Sequence, residues 1–391
     1  MRKLRVQIGE PRIIRGDYYD YGTFSGIAKV GDRLIVSASI GIDRHRTKEE
    51  ILRDWEEEPG QIKSSDDFIM KPTDEDIHRL GGRWCLKSDD AGETWKDYGA
   101  PTTQMSELSD GSLYGTGQGM ETEEGQSIMV WRSFDKGDTY VGPEYVPVIG
   151  PSLESRSEAQ HGLNQFGFIG RDIAELDDGT LLIPACLRFS GDTKYRNVIY
   201  RSTDQGKSFH YYSTMTMEPD FQNDFGEPNI ELLSNGDLIS IHRTGSYMPL
   251  WQFISSDGGA TWNGPSDPGA HGVSPDMVRL SNGVLACTYG RPGCWIMFSP
   301  DGTGDDWTEK TCIWNGSALV TYEEPNLGHV PQRRDDRSEC YSCIRESSPG
   351  TLLFLFAAPT CMEDRSVSNP WDPKQVRKFS IWGVNIDVEI N

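Results

Sequence analysis

One eight-residue pattern recurs along the chain and constrains its fold more than any other feature. It reads SDDAGETW from Ser88 to Trp95, SFDKGDTY from Ser133 to Tyr140, STDQGKSF from Ser202 to Phe209, and SSDGGATW from Ser255 to Trp262. A fifth copy with one extra residue, SPDGTGDDW, runs from Ser299 to Trp307. The shared pattern is Ser-x-Asp-x-Gly-x-Thr/Ser-aromatic, and it follows strand-like runs such as YRNVIYRS and LWQFISS. These are turn residues. The Asp accepts nearby backbone N–H groups, the Gly permits positive φ, and the aromatic ring anchors the turn between neighbouring sheets. A repeat at this spacing implies an array of similar supersecondary units.

A second repeat supplies the strands of each unit. MSELSDGSL (105 to 113), IAELDDGTL (173 to 181), IELLSNGDL (230 to 238), MVRLSNGVL (277 to 285) and IRESSPGTL (344 to 352) each place a two-residue Asx-Gly or Pro-Gly turn between apolar runs, and IAKVGDRL (27 to 34) is a shorter version. Each predicts a β-hairpin. Hairpin, third strand and octapeptide together predict an all-β chain, a six-bladed β-propeller of four-stranded antiparallel blades. KFSIWGVNID (378 to 387) is the last blade's third strand and RKLRVQI (2 to 8) its outer strand, so the N- and C-terminal strands close the ring and hide the sheet edges. Residues 1–391 read as a single domain. Its departures are an acidic insertion at 43–81 in the first blade, with TKEEILRDWEE as a short helix, and a long loop at 314–339 between the fifth and sixth blades.

Composition agrees. Forty-two glycines with 11 Trp and 15 Tyr are the balance of a β-rich chain with many tight turns. A net charge of −22 argues against a nucleic-acid partner, which needs clustered Lys and Arg. The basic start MRKLRVQIG has no apolar run behind it, so no signal peptide is read, and no window is apolar enough to span a membrane; the compartment stays open. Cys85, Cys186 and Cys287 sit in apolar runs and read as buried thiols, while the Cys340 and Cys343 pair lacks the partners of a zinc site. The seven histidines show no ligand spacing, so neither metal nor cofactor is expected.

Register locates the chemistry. In a propeller the first strand of each blade lines the central channel, and counting back nine positions from each turn glycine gives Thr102, Gly170, Glu227, Ser274 and Tyr341, with Thr23 equivalent in the first blade. The next inward positions add Asp172, Asn229 and Asp276, with Arg171 beside them, and the second strands end at Gln118, Arg188, Arg243 and Arg291. Arginines left unpaired by their own carboxylates would hold an anionic substrate. A Tyr beside a Glu can be deprotonated as it attacks, and an Asp can protonate a leaving oxygen. The plainer reading is that these charges pair with one another as a network lining the channel.

The octapeptide has the spacing of the Asp-box, or BNR repeat, and with it the chain resembles the sialidase (neuraminidase) superfamily over nearly its whole length. EPNIELLSNGDLISIHR (Glu227 to Arg243), YSCIRESSPGTLLFLF (Tyr341 to Phe356) and GRPGCWIMFS (Gly290 to Ser299) carry the likeness. The resemblance implies Tyr341 as nucleophile, Glu227 as its base, and Arg243 and Arg291 as ligands of a substrate carboxylate. It implies an acid/base Asp after the first blade's second strand, where Asp43 is nearest. The chain departs from the family at FSGIAKV, where Ser25 stands at the position of an expected arginine, with Arg12, Arg171 or Arg188 as substitutes from another direction.

The leading expectation is therefore an exo-acting glycoside hydrolase that removes a terminal acidic sugar, a sialic acid or a related ulosonic or uronic acid, from an acidic glycan. Its catalytic residues would be Tyr341, Glu227 and Asp43, and its binding residues Arg243, Arg291, Arg171, Arg188, Asp172, Asp276 and His161. A polysaccharide lyase acting on uronate glycans by β-elimination is a second class, with an Arg on the uronate carboxylate and a Tyr or a His, His161 or His242, taking the proton. A non-catalytic glycan-binding propeller is a third.

Overall fold

The computed structural model describes residues 2–18, 22–40, 84–99, 104–122, 125–153, 165–166, 168–216, 225–245, 248–290, 293–314, 341–359 and 379–391. The insertion at 43–81 with its expected helix, and nearly all of the loop at 314–339, lie outside them.

Among the described residues every regular element is a strand. The chain opens with β1 (Leu4–Ile8) and β2 (Arg12–Tyr18). A four-stranded antiparallel sheet follows: β3 (Gly22–Val30), β4 (Arg33–Ile40), β5 (Trp84–Ser88) and β6 (Lys96–Tyr98). The next ten strands are β7 (Gln104–Glu107), β8 (Leu113–Thr122), β9 (Gly125–Ser133), β10 (Val141–Ile149), β11 (Gln165–Phe166), β12 (Phe168–Ile169), β13 (Ala174–Glu175), β14 (Leu181–Leu187), β15 (Arg196–Ser202) and β16 (Phe209–Thr216). They form one ten-stranded sheet rather than two separate blades, because β10 runs parallel to β16 at Val148 opposite Phe209 and Ile149 opposite His210. Two more four-stranded sheets are β17 (Gly226–Leu232), β18 (Leu238–Arg243), β19 (Trp251–Ser255) and β20 (Asn263–Ser266), then β21 (Val273–Arg279), β22 (Leu285–Gly290), β23 (Cys294–Ser299) and β24 (Thr311–Trp314). The last sheet comprises β25 (Ser342–Ser348), β26 (Thr351–Pro359) and β27 (Phe379–Ile390). Both N-terminal strands pair with the long β27, β1 as expected from RKLRVQI and β2 in addition.

Four of the hairpin turns are one residue longer than the two-residue reading, while Gly31-Asp32 between β3 and β4 and Pro349-Gly350 between β25 and β26 are two-residue turns as expected. Leu108 N–H donates to Ser112 O and Gly111 N–H to Leu108 O, which encloses three residues. The same pair of bonds recurs at Leu176, Leu233 and Leu280. Gly111, Gly179, Gly236 and Gly283 close these loops with φ between 80° and 88°, the left-handed step of a G1 bulge. The Asx before each glycine accepts the amide of the residue after it, as Asp110 Oδ1 does from Ser112 N at 2.8 Å.

Each octapeptide is closed by one recurring set of bonds. In the fourth copy Ser255 Oγ donates to Asp257 Oδ1 (2.8 Å), Gly259 N to Ser255 Oγ (2.9 Å), Thr261 N to Asp257 Oδ1 (2.9 Å) and Thr261 Oγ1 to Asp257 Oδ2 (2.6 Å). In the fifth copy the carboxylate comes from Asp306, which accepts from Ser299 Oγ at 2.8 Å, while Asp301 faces Arg2. The closing aromatic reaches the preceding sheet: Trp262 Nε1 donates to Ser213 Oγ, and Trp307 Nε1 to Gln252 Oε1.

Apolar residues of adjoining sheets pack into shared cores, such as Ile296, Phe298, Ile344, Phe354, Phe356, Val384 and Ile386. Cys85 and Cys287 are buried thiols, and Cys186 is half-buried. First strands lie side by side: β3 with β7, β17 with β21, β21 with β25, and β25 with β3. Side chains stitch them together. Asn229 Oδ1 accepts Met277 N at 3.0 Å and Asp276 Oδ2 accepts Ile344 N at 2.8 Å.

Candidate active site

The entry of β17 is shaped by its sequence, Gly-Glu-Pro-Asn. Pro228 has no N–H to give the ladder, so the register slips between Gly226, opposite Arg243, and Asn229, opposite Ile241. The bulge carries Glu227 at φ 43°, a left-handed conformation uncommon for a non-glycine residue. Val-Ser-Pro-Asp repeats the device at β21, with Ser274 at φ 54°. Gly170 makes room for it, since a Cβ there would stand 2.5 Å from Pro228 O.

Glu227 is thereby aimed at the residue that precedes β25. Tyr341 Oη donates to Glu227 Oε1 at 2.7 Å, and Arg243 Nη1 donates to the same oxygen at 2.7 Å. Ser274 N donates to Glu227 Oε2 at 2.8 Å. A carboxylate held by three donors is fixed in place, and one of those donors is a phenol whose proton it can take. Arg243 and Glu227 keep 23% and 20% of their side chains exposed, so the couple is open to a ligand.

Deeper lies a charged network that the register partly anticipated. Arg171 is 8% exposed; its Nη1 donates to Ser342 O at 2.6 Å and stands 3.7 Å from Asp276, and its Nη2 donates to Ser274 Oγ. Arg345 bonds Asp172 and lies 3.7 Å from Asp276. Asn229 Nδ2 donates to Asp172 Oδ2 at 3.2 Å. Burial opposes the charge on Arg345, but Asp172, Asp276 and Glu231 outweigh it and raise its pKa. Burial pushes Asp276 up against the pull of Arg345 and Arg171, and pushes half-buried Glu231 up to about 7. Arg171 thus pairs with Asp276, and Asp172 with Arg345 and Asn229, in a network of charges of the kind the plainer reading describes.

Arg345 was not among the candidates. Its only signal was a charged residue at the centre of a first strand, SCIRESS. Arg188 stacks over the ring of Tyr195 at 5.0 Å. Arg12 is no substitute for the arginine missing at Ser25: it donates to Glu93 and to Gly92 O in the first octapeptide. His242 is enclosed, with its ring 5.0 Å from that of Phe253 and Nδ1 2.6 Å from Asn197 Nδ2. Burial lowers its pKa to about 3, which removes it as a proton acceptor for substrate. Asp43, Arg291 and His161 lie outside the described residues.

Residues 112–352 match the BNR repeat-like domain family. The chain belongs to that family. This BNR-repeat protein shares its all-β fold with solved β-propeller glycosidases. It is similar to a protein of unknown function from Dyadobacter fermentans, 16% identical with a TM-score of 0.66, covering 98% of this chain and 99% of that one. A Hadza microbial sialidase is 16% identical with a TM-score of 0.56, covering 93% of this chain and 65% of the sialidase. An α-L-arabinanase from Penicillium chrysogenum, solved with arabinobiose, is 15% identical with a TM-score of 0.55, covering 96% and 98%. Among curated proteins no sequence matches this BNR-repeat protein.

Proposed function

We propose that the protein is a retaining, exo-acting glycoside hydrolase built on six blades within one domain, 1–391, with β1 and β27 closing the ring. Tyr341 is the nucleophile and Glu227 the base that receives its proton. The hydrogen bond from Tyr341 Oη to Glu227 Oε1 carries this reading, because the proton's path is already laid at 2.7 Å. A neutral attacker suits an anomeric centre that bears a carboxylate, since no like charges meet. The substrate is then a terminal acidic sugar of a glycan, with Arg243 and Arg291 on its carboxylate and Asp43 as the acid. Hydrolysis of methylumbelliferyl N-acetylneuraminide or glucuronide, abolished in Tyr341→Phe with sugar binding retained, is the expected result. Unchanged kinetics in Tyr341→Phe removes Tyr341 from the mechanism.

A second reading concerns the sugar alone. Arg243 already bonds Glu227, which favours a neutral furanoside of the kind the similar arabinanase was solved with. Turnover of methylumbelliferyl α-L-arabinofuranoside, and of neither acidic glycoside, would select it. The lyase alternative loses one of its candidate bases with His242 enclosed.

A further inference from the structure

We infer that Arg171 is a positioning residue, which sets the distance between Tyr341 and Glu227 through its hold on the two segments that carry them. The inference rests on the Tyr341 and Glu227 reading above. Tyr341 precedes β25 and Glu227 lies in β17, so a third sheet, that of β21, stands between their strands. Arg171 enters from a fourth direction. It sits in the gap between β12 and β13, where the first strand of its unit is interrupted and Gly170 packs against Pro228 O.

One guanidinium meets both segments. Nη1 donates to the carbonyl of Ser342, the residue next to Tyr341, and Nη2 donates to the hydroxyl of Ser274, whose amide holds Glu227 Oε2 at 2.8 Å. Asp276, 3.7 Å from Nη1, accepts Ile344 N and so holds the same strand from its other side. A planar fork fixes two acceptors at a set separation, which an ammonium on a flexible stem does not. The route from Arg171 to the couple passes through Ser342, next to Tyr341, and through Ser274, whose amide holds Glu227.

Arg171→Lys keeps the buried charge and loses the fork. Its kcat on whichever methylumbelliferyl glycoside the wild type hydrolyses is expected to fall about tenfold to a hundredfold with KM nearly unchanged, the scale of a catalytic group displaced by about 1 Å. Ser274→Gly removes one acceptor at a left-handed position where glycine is at ease, so it guards against misfolding. Its loss in kcat is expected to be smaller and not to add to that of Arg171→Lys, since both break one linkage. A wild-type kcat in folded Arg171→Lys, alongside an inactive Tyr341→Phe, overturns the positioning role and leaves the hydrolase standing. A second readout needs no turnover. The ionisation of Tyr341, taken as the near-ultraviolet difference between each protein and its Tyr341→Phe counterpart, should move in Arg171→Lys, and a superimposable curve overturns the inference. If no glycoside is cleaved, this readout alone decides it.

Discussion

Tyr341 and Glu227, 114 residues apart in the chain, share a hydrogen bond of 2.7 Å, and the same carboxylate oxygen accepts Arg243. Glu227→Gln keeps the size of the side chain and abolishes its capacity as a base. The expected loss in kcat is about 10²- to 10⁴-fold, the usual weight of general-base catalysis. Steady-state kinetics on the glycoside substrate would record that loss.

Gly170→Ala tests how the bulge is accommodated. The new methyl would meet Pro228 O at 2.5 Å and Pro184 Cγ at 2.6 Å. Backbone has to shift, at a cost of about 1–3 kcal/mol. Because Pro228 follows Glu227, turnover per folded molecule should fall as well. Urea unfolding and kinetics on the same sample separate the two effects.

The fifth octapeptide distinguishes its two aspartates. Asp306→Ala removes the carboxylate that accepts Ser299 Oγ and should cost about 1–2 kcal/mol. Asp301→Ala loses only an exposed contact to Arg2 at 3.7 Å and should change stability by less than about 0.5 kcal/mol. Equal losses in urea midpoint for the two variants would contradict the bonding seen here.

Acid should unfold the protein through its turns. The Thr side chain and amide within each octapeptide hold Asp90, Asp135 and Asp257 at about 2; at Asp204 burial pulls upward, but Ser202 and Ser208 outweigh it and the value is again about 2. These folded values lie below the unfolded value of about 3.9, so their stabilisation is complete above about pH 4 and is lost as pH falls toward 2. His242 acts in a wider window. Buried neutral with its pKa lowered to about 3, it lets protons favour the unfolded chain from about pH 6.5 downward. Asp257→Asn should flatten the stability curve below about pH 4 and leave the slope between about pH 4 and 6.5 intact.

Local chemistry was legible in the sequence because it acts over a few residues. Asx and glycine fix four of the hairpin turns, and Ser, Asp, Gly and Thr or Ser close the first four octapeptides with bonds four residues long or less. These turns set the strand register, and the register singled out Glu227, Tyr341, Arg243, Arg171, Asp172 and Asp276. The extra residue in four of the turns, and the substitution of Asp306 for Asp301, are not legible there because one inserted residue leaves the local composition almost unchanged.

Which of those charges face one another was a matter for the tertiary structure. Arg345 finds Asp172 across 173 residues, and Arg171 finds Ser342 across 171. Arg12, by contrast, leaves the site for the first octapeptide turn. The cause is physical: a charge in a first strand takes whichever partner the neighbouring sheet presents, and the sheets are set side by side by the sum of many apolar contacts. The sequence by itself therefore determined the turns, the strands and the list of reactive side chains. Tertiary packing decided that Glu227 serves Tyr341 and Arg243 while Arg171 and Arg345 are enclosed beneath them, because only packing brings distant strands within hydrogen-bond reach.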